Sequence, residues 1–463
     1  MRPAPRHRKA DMEKAAFRKD FVWGAASSAY QIEGSPQADG GGVSVWDVFC
    51  DQPDNIFEGD DGKTACDAYH RYAEDIGLLA SMGLKAYRFS ISWTRVDPLG
   101  EGRWNEAGFE YYDKVIDCCL ENGVEPYLTL HHWELPQALE DKGGWLKRET
   151  AEAFARFAGE CARRLKGRVS HYFTLNEPEC VLNLGYKLAI HAPGKKYGLE
   201  GQFECWKNMM LAHGMAQRAV KAEDPAALVG LASTGRLCYA GSDSPGDKEA
   251  AYTATFELSD DDWLFTHTPT LDAICFGRFP DCPGTELEKL AAGVSPEEWR
   301  TMNAAPDFIG INVYNGNEVR AGADGKPEYV ERYTGFPRTA LKWPVTPGVM
   351  RGGILNIWRR YGLPIYITED GQGCNDRIFL DGKVHDPDRI DFLTRYLREL
   401  REAARTADIR GYFHWSLTDN FEWSSGYADR FGLIFIDYPT QRRIPKDSAY
   451  WYSKIVESNG EDL

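Results

Sequence analysis

Eight short apolar runs, each separated from the next by a stretch with helical spacing, bound the fold more tightly than any other feature of this chain. They are "DFVWGAASSAY" (20–30), "AYRFSIS" (86–92), "EPYLTLHHW" (125–133), "HYFTLNEP" (171–178), "ALVGLAS" (227–233), "DFIGINVYN" (307–315), "PIYITEDG" (364–371) and "IRGYFHWSL" (409–417). Their β-branched and aromatic content reads as buried strand. Between them Tyr72, Ile76 and Leu79 mark a helix stopping at Gly83, and Phe109, Tyr112, Ile116 and Cys119 one stopping at Gly123. Thr150 is positioned to cap a helix carrying Phe154, Phe157, Cys161 and Leu165, ended by Gly167. Buried strands joined through helices pair in parallel, because a parallel pair needs a long crossover. Eight such units are what closes an α/β barrel of the (β/α)8 TIM type. The alternative is an open doubly wound sheet, which announces itself by a Gly-rich first turn; none follows the first run.

A chain of 463 residues accommodates one such barrel with long βα loops. Residues 1–15 are basic and lack the apolar stretch of a secretory signal, so a disordered arm is expected there and a single (β/α)8 catalytic domain over 16–458. The segments 236–262 and 316–346 read as loop insertions. A net charge of −16 disfavours nucleic acid and anionic membrane as partners, and no run approaches the ~18 apolar residues of a membrane span. The 11 cysteines are scattered, with no Cys-x-x-Cys pair. That pattern reads as reduced thiols in a cytoplasmic protein without a zinc site. A homo-oligomer is compatible with all of this.

In a barrel of this kind, function is built at the C-terminal ends of the strands. The polar residues there are Gln31 and Glu33 after the first run, Arg88 within the second, and His131, His132 and Trp133 ending the third. Asn176 and Glu177 end the fourth, Asn312 and Tyr314 the sixth, Glu369 and Asp370 the seventh, and Trp415 the eighth, followed by Glu422 and Trp423. Pro178 stops the fourth strand just past Glu177, since proline cannot donate to a central ladder. Two glutamates at the ends of the fourth and seventh strands suit glycosidic bond cleavage. One protonates the leaving oxygen; the other attacks the anomeric carbon or activates water. Abundant Trp and Tyr, 14 and 23, suit either a large core or stacking on sugar faces. Barrels of many chemistries carry polar mouths, so this pattern alone leaves the reaction open.

"TLNEP" and "ITEDG" resemble the acid/base and nucleophile signatures of glycoside hydrolase family 1, the retaining β-glucosidases and β-galactosidases. The resemblance runs almost end to end, through "FVWGAASSAYQIEG", "YRFSISWTRVDPLG", "LHHWELPQAL", "HAPG", "DFIGINVY", "FHWSLTDNFEW" and "RFGLIFID". It implies Glu177 as acid/base and Glu369 as nucleophile, with carboxyl groups about 5–5.5 Å apart as in retaining enzymes. It implies that Arg88 and Tyr314 hold the nucleophile, with Asn312 supporting them. Gln31, His132, Trp133, Asn176, Trp415, Glu422 and Trp423 are the implied glycone set, and Trp343 the aglycone platform. No metal or organic cofactor is implied. The expected substrate is a small β-glycoside, preferentially a glucoside such as cellobiose, with galactosides and fucosides secondary. A carboxylate at Glu422 would repel a 6-phosphate. A transglycosidase, or a non-catalytic sugar-binding relative, is the alternative. Asp370 stands where the family usually has Asn, and is expected to point away from Glu369 and brace its loop. His414 and Thr418 replace the usual Val and Leu and are expected to affect packing. His131, His213 and His191 are expected to be structural, Glu33 to brace a loop, and Glu179 to be solvated.

Overall fold

The structure, a computed structural model, describes residues 16–463; the expected arm over 1–15 lies outside the described residues. Each of the eight runs forms a strand: β1 (Val22–Ala26), β2 (Ala86–Ser90), β3 (Glu125–His131), β4 (His171–Asn176), β5 (Leu228–Ser233), β6 (Ile309–Asn312), β7 (Ile365–Asp370) and β8 (Ile409–Trp415). They close into a barrel in sequence order, with β8 pairing back onto β1 and every pair parallel.

The interior is filled by side chains of unequal size. Ala26, Ala86 and Ala232 face Tyr127, Phe173, Phe308, Tyr366 and Phe413, so large rings occupy the space that small residues leave. Gly24 shows how tight this is: a Cβ there would sit 2.6 Å from the Phe413 ring. Outside, the strands pack on helices that include Ala68–Ser81, Glu106–Glu121 and Arg148–Leu165, whose buried faces carry the residues singled out by spacing. Gly83, Gly123 and Gly167 end these helices with φ of +79°, +68° and +80°. Thr150 is not a cap: the third helix begins at Arg148, and the Thr150 hydroxyl donates to the Gly144 carbonyl at 2.7 Å from inside the first turn.

Two features of register matter for function. β4 shifts against β5 between Phe173 and Asn176, and β7 shifts against β6 between Ile367 and Glu369. Such irregularities re-aim the residues that follow, and here those residues are Asn176–Glu177 and Glu369. Arg88 and Trp415 both pair with Ala26, which puts them at one level of the barrel.

The insertions are not simple loops. Cys238–Ala240, Asn317–Ala321 and Pro327–Tyr329 form a small three-stranded sheet against the helix Pro245–Phe256. A hairpin, Ile434–Asp437 with Arg442–Pro445, follows β8. At the closed end the Trp23 indole donates to Asn459 Oδ1 at 2.9 Å, tying the chain's last turn to β1. All 11 cysteines are unpaired, and no helix among the described residues is long and apolar enough to cross a membrane.

Candidate active site

At the open end of the barrel, Glu177 follows the β4 irregularity with φ of +46°, a left-handed conformation costly for a residue with a side chain. Its N–H donates to the Ala232 carbonyl at 2.7 Å, and it heads the single turn Pro178–Cys180. These contacts turn its carboxyl inward, where Oε1 accepts from Asn312 Nδ2 at 2.8 Å. Glu369 is held differently. Arg88 Nη1 donates to its Oε1 at 2.8 Å and the Tyr314 hydroxyl to its Oε2 at 2.7 Å. Asn176 links the two sides: its Oδ1 accepts from Arg88 Nη2 at 2.6 Å and from Asn312 Nδ2 at 3.2 Å, and its Nδ2 lies 3.1 Å from His132 Nε2. Thr368 orients Asn312 by donating to its Oδ1 at 2.6 Å.

Both carboxyls are buried, and burial penalises their charged forms. Burial, and after it the charge of Glu369, pushes Glu177 up to about 8. Burial raises Glu369 too, but the Arg88 guanidinium and the Tyr314 hydroxyl pull it back. Glu177 has no cation against it among the described residues, so the pair's proton resides on Glu177 and its charge on Glu369. Burial also holds His132 well below the usual histidine range, so its ring is neutral.

The two glutamates open onto a cavity of about 350 Å³. His132, Trp415 and Trp423 form its buried part, with Tyr314 and Glu422 half-buried beside them. Trp133 packs against Trp423 with ring centroids 4.5 Å apart and the planes tilted by 31°, and its indole donates to the Asn176 carbonyl at 3.1 Å. Leu184, Phe265, Leu341 and Trp343 form the more exposed part. No lysine or arginine among the described residues lines the cavity. The segment carrying Glu422 is fixed from behind by Asp419, whose buried carboxylate accepts from Arg430 and Lys446, each at 2.6 Å. Burial, then Asp429 and the two glutamates, pushes Glu422 up to about 8.

The glycosyl hydrolase family 1 model matches residues 13–461. This chain belongs to that family. Beta-glucosidase A of Thermotoga maritima is 37% identical over 458 residues, covering 97% of this chain and 99% of the relative. An aryl-phospho-beta-D-glucosidase of Bacillus subtilis is 37% identical, with 97% of this chain and 98% of the relative covered. The solved structure of the Thermotoga maritima beta-glucosidase in complex with deoxynojirimycin superposes with a TM-score of 0.87 at 36% identity, covering 96% of this chain and 99% of that one.

Most residues singled out from the sequence meet at this family 1 cavity, but four stand behind its wall. Arg88, Asn176 and Asn312 form the hydrogen-bonded layer beneath the glutamates. Gln31 is braced by the segment after β8: its amide donates to Asn420 Oδ1 at 3.0 Å and to the Phe421 carbonyl at 2.8 Å, and its Oε1 accepts from Ser28 at 2.6 Å. Asp370 turns away from Glu369, as expected, and accepts from the Tyr412 hydroxyl at 2.7 Å. Glu33 braces its loop through Arg95 and Tyr112, and His131 and His213 are packed in the core. His191 does more than order a loop: it lines the cavity against Trp133. Glu179 is not solvated but 1% exposed, its carboxylate taken by Ser233 Oγ at 2.6 Å. Cys180, Leu184, Thr234, Phe265 and Leu341 were missed by sequence reasoning; all lie beyond the strand-end motifs in segments without period.

Proposed function

We propose that this family 1 hydrolase removes terminal β-D-glucosyl groups with retention of configuration, Glu177 acting as acid/base and Glu369 as nucleophile. The reading is carried by the unequal surroundings of two buried carboxyls. Glu369, against Arg88 and Tyr314, keeps the negative charge that attacks the anomeric carbon. Glu177, with an amide and no cation beside it, keeps the proton that the leaving oxygen needs. Once Glu369 is esterified, its charge is gone, so Glu177 ionises more readily and takes a proton from the attacking water. Asn176, fixed by Arg88 and Asn312, has an amide hydrogen left for the 2-hydroxyl. His132, Glu422 and the rings of Trp415 and Trp423 hold the rest of the sugar, with Trp133 packed behind. Gln31, braced on residues 420–421, adds the second lone pair of its Oε1.

The glycone is unphosphorylated in this reading. Glu369 carries a negative charge and no lysine or arginine among the described residues lines the cavity, so a phosphate dianion would find like charge and no counter-ion there. The uncharged rim of Leu184, Phe265, Leu341 and Trp343 suits an aromatic aglycone or the apolar face of a second sugar, as in cellobiose. Eleven unpaired thiols support a cytoplasmic setting. Water rather than a second sugar is the acceptor.

A panel of 4-nitrophenyl glycosides varying in sugar and anomer, with anomeric NMR of the first product, tests glycone and retention together. The β-glucoside should turn over fastest and release the β-anomer. Faster cleavage of 6-phosphocellobiose than of cellobiose, or release of the α-anomer, would overturn the reading.

A further inference from the structure

Two residues past the proposed acid/base lies a carboxylate that the reaction as described does not use. Glu179 is 1% exposed and makes no ion pair among the described residues. Its Oε1 accepts from Ser233 Oγ at 2.6 Å, and its Oε2 from the Thr234 N–H at 3.3 Å. Ser233 Oγ is in turn 2.8 Å from His267 Nδ1, and the hydroxyl of Thr270 also reaches the carboxyl. Burial holds His267 at about 3, so its ring is neutral, and its Nε2 has no partner among the described residues. With Ser233 donating to Glu179, Nδ1 carries the imidazole hydrogen and donates to Ser233. The chain of donors runs from His267 through Ser233 to Glu179. It begins on the helix His267–Phe276, passes the end of β5 and stops on the short turn that also fixes Glu177.

We propose that Glu179, held by Ser233 and His267, is a positioning residue for charge, its carboxylate keeping the proton on Glu177 as the medium turns alkaline. This rests on the reading of Glu177 as the acid/base. The ionisable groups facing Glu177 and Glu179 are Cys180 on their own turn, neutral His267 from the helix, Glu369 from β7 with its partners Arg88 and Tyr314, and Glu422 from the segment after β8. None of these gives Glu179 a counter-charge. Burial raises both carboxyls, but Glu179 accepts from Ser233 Oγ and the Thr234 N–H, whereas Glu177 accepts from one amide and stands beside the charge of Glu369. As the pH rises, Glu179 therefore ionises first, and a new negative charge beside Glu177 opposes loss of the catalytic proton.

The pH dependence of kcat/KM on an unactivated alkyl β-glucoside tests this. Glu179→Gln keeps the size and the acceptor for Ser233 but carries no charge. Its alkaline limb is expected to move to lower pH by about half a unit or more. Ser233→Ala removes the donor that steadies the Glu179 carboxylate, and its limb should move in the same direction by less. This second variant keeps the test open should the first fail to fold. An unmoved limb, or one moved to higher pH, in active protein overturns the inference. Glu177→Ala separates it from the reading beneath. If the limb persists there, the assignment of Glu177 fails. If the limb vanishes there and stays put in Glu179→Gln, only the role of Glu179 fails.

Discussion

Glu177 and Glu369 are the same residue type, both buried, at the ends of two strands of one barrel, yet their surroundings differ. Glu369 has a guanidinium against it and Glu177 has a carboxamide. Burial alone pushes both towards the neutral form. The counter-charge breaks that symmetry and assigns the roles, which is how one fold runs acid and nucleophile chemistry from identical side chains.

The comparison breaks most visibly when the charged member is removed. Glu369→Ala should lower kcat by a factor on the order of 10⁵ or more, because no group remains to form the covalent intermediate; steady-state rates on 4-nitrophenyl β-glucoside measure it. Glu177→Ala should cost about 10²–10⁴-fold on alkyl glucosides and far less on substrates with acidic leaving groups. Azide should restore turnover as a β-glycosyl azide, which product analysis detects. Arg88→Lys keeps the charge but loses the fork that reaches both Glu369 and Asn176. A fall of about 10–100-fold is expected, from hydrogen bonds to charged groups worth about 1.5–3 kcal/mol. With its anion less well held, Glu369 protonates at higher pH, so the acidic limb of the pH–rate profile should move up. The smallest effect belongs to Asp370→Asn. Burial pushes Asp370 up to about 8, so it is largely neutral across the acidic limb, and it points to Tyr412. The limb should stay in place, and a shift approaching one unit would show that Asp370 acts on Glu369 after all.

The barrel was legible because a strand buried on both faces must be an apolar run, and the runs here stop at the residues that line the mouth. The two glutamates were legible for the same reason, as polar residues ending apolar strands. What escaped depends on partners far away in sequence. Glu179 reads as a loop carboxylate until Ser233 and His267, 54 and 88 residues on, are brought to it. The Gln31 amide is oriented by residues 420–421, a contact nothing in its local sequence announces. Thr150 has the chemistry of a cap, but the helix gains another turn's start by beginning at Arg148. The small sheet at 238–240, 317–321 and 327–329 is short and half exposed, so its sequence carries neither an apolar run nor a clear alternation. Phe265, Leu341 and the rest of the rim sit in such segments, where position and not pattern makes them part of the site.

The division of labour between the two carboxyls is tested most directly by trapping the glycosyl-enzyme. Incubation with 2,4-dinitrophenyl 2-deoxy-2-fluoro-β-D-glucoside, followed by proteolysis and mass spectrometry, locates the carboxyl that bonds to the anomeric carbon. A single adduct on Glu369 is the predicted result. An adduct on Glu177 or Glu422, or turnover that never passes through a trapped species, would contradict it.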